Sequence, residues 1–174
     1  MIGRTNEAKE LNRLYARNRA ELVAIYGRRR VGKTYLVDET FADRITFRHA
    51  GLSLAAESSK GLLKLQQDHF CSSLALQGME KCKKPTTWLD AFLLLEKFLQ
   101  RKDDGSRQLV FLDELSAPLP KNSCTVFNDL LSYRTGKLVM LANQNFPFSI
   151  SFAKNSANIL FLLQRPCYSF YSTK

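Results

Sequence analysis

The chain has few of the residues that build a metal site. Its two histidines, His49 and His69, lie in no ligand-like spacing. None of the four cysteines, at positions 71, 82, 124 and 167, belongs to a C-x-x-C pair. A zinc site is therefore not expected. We expect free thiols in a reducing compartment instead.

Long apolar runs are also missing. A membrane-spanning helix needs about 20 apolar residues, and the longest late run, NILFLLQ, is far shorter. The opening stretch, MIGRTNEAKE, lacks the apolar segment of a signal peptide. These absences predict a cytoplasmic protein without a membrane partner.

Acidic residues are absent from the last quarter of the chain. Residues 130–174 carry five Lys or Arg and no Asp or Glu, whereas the first 129 residues carry 21 basic and 16 acidic groups. The net charge of +10 favours phosphate-bearing partners, nucleic acid among them. No nucleic-acid recognition motif accompanies that charge, so a nucleic-acid-binding module is the weakest of the functional hypotheses.

The remaining composition is that of a globular domain, with 174 residues and 45% apolar side chains. Thr5 or Asn6 is expected to cap the first helix, and Thr87 with Asp90 to form a capping box. Apolar periodicity predicts helices over 6–18, 33–41, 57–76 and 86–102, and strands over 21–26, 45–49, 108–114 and 137–142. This alternation predicts an α/β fold with a mainly parallel sheet and helices on both faces.

A phosphate-binding motif lies between the first predicted strand and the second predicted helix. Residues 27–34, GRRRVGKT, match G-x-x-x-x-G-K-[ST], the P-loop or Walker A motif, at every fixed position. Glycine allows the backbone N–H groups to approach a phosphate, and the helix start adds its dipole. Lys33 would contact the β- and γ-phosphates, and Thr34 would join the Mg²⁺ shell. The predicted nucleotide-binding residues are Gly27, Arg28, Arg29, Arg30, Val31, Gly32, Lys33, Thr34 and Tyr35.

The three arginines of this loop occupy variable positions of the motif. They are not themselves part of the phosphate-holding chemistry. Two interpretations stay open: they raise the local potential or contact a partner, or they are solvated loop residues.

An acidic pair ends another predicted strand. The apolar run Leu109–Leu112 leads into Asp113 and Glu114. A buried strand would deliver Asp113 to the carboxyl edge of the sheet, where ligands of open α/β sheets bind. Asp113 would orient Mg²⁺, in the role of a Walker B acid, and Glu114 would polarise the attacking water.

Three segments together resemble the archaeal-type ATPases, which belong with the AAA-like and signal-transduction P-loop ATPases. The segments are MIGRTNEAKELNRLY, VAIYGRRRVGKTYLV and VFLDEL. The resemblance implies a P-loop three-layer sandwich that binds ATP rather than GTP. It also implies a place near the adenine or a domain interface for Ile2, Gly3 and Arg4.

The resemblance covers residues 1–115, which we take as the ATPase core. Family members continue with Pro-Trp, a long helix and a strand ending in a polar sensor, whereas this chain reads LSAPLPKNSCTVFN. Two alternatives stay open for residues 116–174. Either a gene fragment or shifted frame replaced the native end, which the composition favours, or the ending has diverged. In the second case KLVMLANQN is the sensor strand, with Asn143 or Gln144 as the sensor. Either way we expect a sandwich that is truncated or altered at its C-terminal end.

These observations predict Mg²⁺-dependent ATP binding and hydrolysis. Lys33 and Glu114 would be catalytic, and Thr34 and Asp113 would hold the metal. The alternatives are a switch that binds nucleotide without hydrolysing it, and an inactive gene fragment. A second copy or a protein partner could complete the site, since Arg134 is the sole late candidate for an arginine finger.

Overall fold

The computed structural model describes residues 4–17, 21–26, 30–52, 59–80, 84–114, 137–143 and 159–163. Within these ranges the helices are α1 (Thr5–Tyr15), α2 (Lys33–Phe41), α3 (Ser59–Leu76) and α4 (Trp88–Arg101). The strands are β1 (Glu21–Tyr26), β2 (Ile45–Ala50), β3 (Gln108–Asp113), β4 (Lys137–Asn143) and β5 (Ile159–Leu163). The elements predicted from periodicity are therefore confirmed, with small shifts at their ends.

The strands form one parallel sheet in the order β2-β3-β4-β1-β5. β4 lies between β1 and β3, where Val23 pairs with Met140 and Met140 with Phe111. β5 extends the sheet on the far side of β1, with Ala24 opposite Phe161. The two strands after residue 115 are thus part of the same sheet as the first three.

Helices cover both faces of the sheet, as predicted. All six residues of β3 are buried, and they alternate between two cores. Leu109 and Phe111 pack with α1 and α2, whereas Val110 and Leu112 pack with α3 and α4. The described part of the chain is therefore an α/β/α arrangement of three layers.

The direction of each crossover explains which helices share a face. The connection from β1 to β2 runs one way across the sheet, and the connection from β2 to β3 runs back. Because crossovers between parallel strands are right-handed, α2 lies on one face, and α3 and α4 lie on the other. This places the start of α2 on the face of β3 that carries Leu109, Phe111 and Asp113.

The helix caps agree with the prediction at α4 and differ at α1. Thr87 Oγ1 accepts from the Asp90 backbone N–H at 3.1 Å, and Asp90 Oδ2 accepts from the Thr87 N–H at 3.0 Å. At α1 the N-cap is Arg4, without a side-chain cap bond, so the prediction of Thr5 or Asn6 was wrong. The Arg4 guanidinium instead reaches the carbonyl of Val31, a tertiary contact that the local sequence does not encode.

Among the helices that the structure describes, none is both long enough and apolar enough to cross a membrane.

His49 is buried against α3 on the face opposite α2. It is 2% exposed, its Nδ1 lies 2.9 Å from Ser73 Oγ, and its ring lies 5.2 Å from that of His69. Burial, reinforced by the neighbouring His69, lowers the pKa of His49 from 6.5 to about 4. The folded state therefore favours the neutral imidazole.

We expect this histidine to make the fold acid-sensitive. In the unfolded chain His49 protonates near pH 6.5, so its contribution is fully present above that pH and is lost as the pH falls towards 4. At pH 4.5 the loss is about 2.5 kcal/mol of unfolding free energy. Urea unfolding at pH 7 and pH 4.5 measures it, and His49→Asn should lose less stability between these two pH values. Equal losses in the two proteins would contradict the assignment.

Candidate functional site

Three strand ends meet at the carboxyl edge of the sheet. β1 ends at Tyr26, β3 at Asp113 and β4 at Asn143. Tyr26 pairs with Asn143, and Asp113 pairs with Ala142. The ends of β1, β3 and β4 therefore lie side by side, at the edge where open α/β sheets bind ligands.

The loop before α2 takes left-handed backbone conformations at two described positions. Gly32 has φ +75° and Arg30 has φ +58°. A Cβ at position 32 would find space, since its nearest neighbour would be Tyr35 Cβ at 4.0 Å. The glycine is therefore required by its backbone angle rather than by crowding, and an L-side chain there would be strained.

The first turn of α2 carries no competing acceptor. Gly32 is its N-cap and provides no side-chain hydrogen bond, and the first turn contains no acidic residue. The first N–H groups of a helix have no intrahelical acceptors. They point out of the helix start together with its positive dipole end, which suits an anion.

Lys33, Thr34 and Asp113 come together at this point. Thr34 Oγ1 donates a hydrogen bond of 2.6 Å to Asp113 Oδ2, across 79 residues of sequence. Lys33 and Asp113 are each 7% exposed. The P-loop motif and the acid at the end of β3 therefore form one site, with both charged groups withdrawn from water.

Burial shifts the pKa of both charged groups towards their neutral forms. The pKa of Lys33 is lowered by burial, and the nearby Asp113 and Glu114 carboxylates oppose this. The pKa of Asp113 is raised by burial, and the hydrogen bond from Thr34 opposes this. Both groups are poorly solvated and would gain from charged partners: an anion for Lys33 and a cation for Asp113.

Glu114 follows directly after β3 with φ +45°, an uncommon conformation for a residue other than glycine. Its charge acts on both Lys33 and Asp113. Strained backbone of this kind recurs at functional sites. Asp113 is the last residue of the strand, and Glu114 lies directly beyond it.

Arg4, the N-cap of α1, contacts the loop before α2. Its guanidinium donates to the Val31 carbonyl, and its charge contributes to lowering the pKa of Lys33. The resemblance placed Arg4 near the adenine or a domain interface. In the structure it lies against the loop backbone, close to the lysine.

The other predicted site residues are distributed as follows. Tyr35 is 55% exposed, and its pKa is raised mainly by the charge of the Glu39 carboxylate, with a smaller effect of their hydrogen bond. Several predicted residues lie outside the described part of the chain: Ile2, Gly3, Gly27, Arg28, Arg29, Arg134 and Gln144.

The donor set at the centre of the site suits a hard cation. A threonine hydroxyl and a carboxylate are oxygen ligands, and Mg²⁺ is usually held by one or two such groups plus water and phosphate. Across the residues that the structure describes, no group of three or more His, Cys, Asp or Glu side chains is arranged as a self-sufficient metal site. Thr34 and Asp113 therefore provide two oxygen donors of the kind that Mg²⁺ prefers, and further ligands would have to come from water or phosphate.

Sequence reasoning missed an ion pair beside this centre. Arg48 on β2 binds Asp38 on α2, with Nη1 to Oδ1 at 2.5 Å and Nη2 to Oδ2 at 3.1 Å. A signal was present, because Arg48 interrupts the apolar pattern of its strand. The partner could not be identified without knowing which helix covers β2.

Comparisons with known proteins indicate the fold and nothing more specific. No protein-family model matches the chain, and no curated protein matches it in sequence. A chain in the structure of Drosophila ORC bound to DNA is similar in fold, with a TM-score of 0.50 and 10% identity over 90% of this chain and 86% of that one.

Two further structures match over about half of their own chains. One is Drosophila ORC bound to GC-rich DNA and Cdc6, with a TM-score of 0.48, 11% identity and coverage of 90% of this chain and 54% of that one. The other is Drosophila ORC bound to AT-rich DNA and Cdc6, with a TM-score of 0.48, 11% identity and coverage of 91% and 52%. The chain thus shares an α/β architecture with a chain of the DNA-bound ORC structure at very low sequence identity.

Proposed function

We propose that this chain is a P-loop ATPase domain that binds ATP with Mg²⁺ and hydrolyses it. The loop of residues 27–34 would hold the phosphates together with Lys33, and Thr34 and Asp113 would hold the metal. Glu114 would polarise the attacking water. The observation that carries the proposal is the 2.6 Å hydrogen bond between Thr34 and Asp113 beside the buried Lys33.

That contact is informative because two unrelated sequence signals meet in it. The P-loop motif and the apolar run ending in Asp113 are separated by two helices and one strand. A chance glycine turn would have no reason to place its Thr against that acid. A nucleotide site requires this juxtaposition, because the same magnesium must reach the Thr hydroxyl and the acid.

Adenine specificity rests on the resemblance to the archaeal-type ATPases. The fold likeness to a chain of Drosophila ORC supports the AAA-like architecture at the level of the fold. The guanine-reading N-K-x-D pattern is absent from the sequence, and its nearest string, NQNF, lacks the acid.

We further propose that residues 116–174 are a diverged ending of the same domain. β4 is the central strand, paired with both β1 and β3, so the sheet that carries the site would be split without it. This pairing supports the diverged ending over a shifted frame. Asn143 then follows as a candidate sensor, since it ends β4 opposite Tyr26.

The rival function is a switch that binds ATP without turnover. The described helices and strands would support it equally well, because the same residues hold the nucleotide in both cases. Turnover could also depend on a second copy or a protein partner that supplies an arginine finger. A nucleic-acid-binding role stays the weaker alternative, and the DNA in the structural relatives belongs to those proteins.

The test is thermal unfolding with nucleotides. MgATP at 100 times its dissociation constant should stabilise the protein by about 2.7 kcal/mol, which raises the melting temperature by about 5–10 °C for a chain of this size. MgGTP at the same concentration should give a smaller shift. An unchanged melting temperature with saturating MgATP would contradict nucleotide binding.

A further inference from the structure

A second link between α2 and the sheet lies one helical turn beyond the phosphate site. The first link is the hydrogen bond from Thr34 to Asp113. The second is the bidentate pair between Arg48 and Asp38. Asp38 comes four residues after Thr34, so the two side chains lie on the same face of the helix, one turn apart.

The Arg48 guanidinium also lies on β3. Its Cζ is 5.4 Å from the centre of the Phe111 ring, and Arg48 is the register partner of Phe111 in the sheet. Phe111 precedes Asp113 by two residues, so both point to the same face of the strand. Arg48 therefore joins the helix that carries Lys33 and Thr34 to the strand that carries Asp113.

The backbone of Arg48 is fixed from the opposite face of the sheet. Gln77 Oε1 accepts from the Arg48 N–H at 2.9 Å, and Gln77 Nε2 donates to the Arg48 carbonyl at 2.7 Å. β2 is an edge strand, so these bonds satisfy groups that a further strand would otherwise take. These two bonds hold the Arg48 backbone in place on the edge strand.

The two links differ in what nucleotide would do to them. If Mg²⁺ binds as proposed, Thr34 Oγ1 would also coordinate the metal, so the geometry of the first link would depend on the nucleotide. The pair between Arg48 and Asp38 includes neither a residue of the P-loop motif nor a proposed metal ligand, so it should persist through binding. Its side chains are 40% and 38% exposed, and exposed ion pairs contribute little to global stability.

We propose that Arg48 is a positioning residue for the phosphate site. Its pair with Asp38 holds the first turns of α2 against β3, so that Lys33 and Thr34 stay opposite Asp113 when metal and phosphate bind. This inference rests on the proposed function. It assigns the role to arginine specifically, because a planar guanidinium binds a carboxylate at two points and stacks on a ring, and an ammonium does neither in the same way.

Two substitutions and one matched control test the proposal. In Arg48→Gln the dissociation constant for MgATP should rise about tenfold, as for other groups that orient a metal ligand. The dissociation constant for ATP measured in EDTA should rise less. Arg48→Lys should recover only part of the MgATP affinity. The control is Arg44→Gln, because Arg44 also stacks on a ring, 5.5 Å from the centre of Tyr15, and hydrogen-bonds Asn12, yet it lies far from the loop.

A measurement without nucleotide follows the link itself. Amide hydrogen exchange in the first turns of α2 should become faster in Arg48→Gln and in Asp38→Asn, while α4 keeps the wild-type rates. The double variant should exchange no faster than either single variant, because both remove the same pair. Unchanged exchange in α2, together with MgATP affinity within twofold of the wild type, overturns the positioning role.

The wild type separates failure of this inference from failure of the proposed function. Wild type that binds MgATP, with Arg48→Gln binding equally well, overturns only the role of Arg48. Wild type that binds no MgATP overturns the proposed function, and the positioning role falls with it. Equal losses of affinity for MgATP and for ATP in EDTA in Arg48→Gln also count against the proposal, since a general loss of fold would produce that result.

Discussion

Replacing Lys33 with alanine is expected to remove most of the stabilisation that MgATP gives to the protein. Lys33 is 7% exposed and lies beside Asp113 and Glu114, so water solvates its ammonium poorly. The β- and γ-phosphates would add negative charge beside this buried ammonium and favour its charged form. The wild-type gain of about 2.7 kcal/mol at 100 times the dissociation constant should therefore fall to a small fraction in Lys33→Ala.

The comparison must use the shift that the ligand produces, not the melting temperature alone. Removing a buried side chain also changes the melting temperature of the free protein, so each variant is compared with and without MgATP. Lys97→Ala is the matched control, because Lys97 is an exposed lysine of α4 on the opposite face of the sheet. Equal MgATP shifts in wild type and Lys33→Ala would mean that nucleotide binds elsewhere.

The contact between the loop before α2 and the acid at the end of β3 was predictable from sequence, because a local pattern sets each of them. A backbone that wraps a phosphate needs glycine, and the Gly32 angle of φ +75° is one that other residues reach only under strain. A run of apolar residues ending in an acid needs only burial of β3 to bring Asp113 to the sheet edge. Both signals are local, and they meet because parallel strands share their carboxyl edge.

Helix caps were predictable only where the cap is local. The capping box of α4 uses Thr87 and Asp90, three residues apart, and the structure has both of its hydrogen bonds. At α1 the sequence offered Thr5 and Asn6, yet the helix starts one residue after Arg4. The contact of Arg4 with Val31 spans 27 residues, so no rule about neighbouring residues could have found it.

The end of the chain was the least predictable part. Periodicity gave β4 its correct place in the sequence, but nothing local says that it inserts between β1 and β3. The run at Ile159–Leu163 is short and apolar, a pattern that strands share with buried helix segments. The pattern alone therefore indicates no partner for it, whereas its backbone pairs with β1. The pair between Arg48 and Asp38 escaped prediction for the same reason, since strand order decides which helix meets β2.

Glu114→Gln is expected to separate binding from hydrolysis. Glutamine keeps the size and the hydrogen-bonding reach of glutamate but cannot accept a proton from water. We expect turnover to fall by about 10²- to 10⁴-fold, the usual contribution of a general base. MgATP binding should be retained or become slightly tighter, because one negative charge that acts on Lys33 and Asp113 is removed.

The substitution at position 114 should leave the backbone unchanged. Glu114 has φ +45°, and glutamate and glutamine tolerate that conformation about equally, so the turn after β3 should not change. Glu80→Gln, at an exposed position after α3, controls for the loss of one carboxylate. Phosphate release by the two variants and the wild type, each saturated with MgATP, gives the answer. If Glu114→Gln turns over as fast as Glu80→Gln, another group activates the water. If the wild type binds MgATP but releases no phosphate even at high protein concentration, the chain is a switch or requires a partner for turnover.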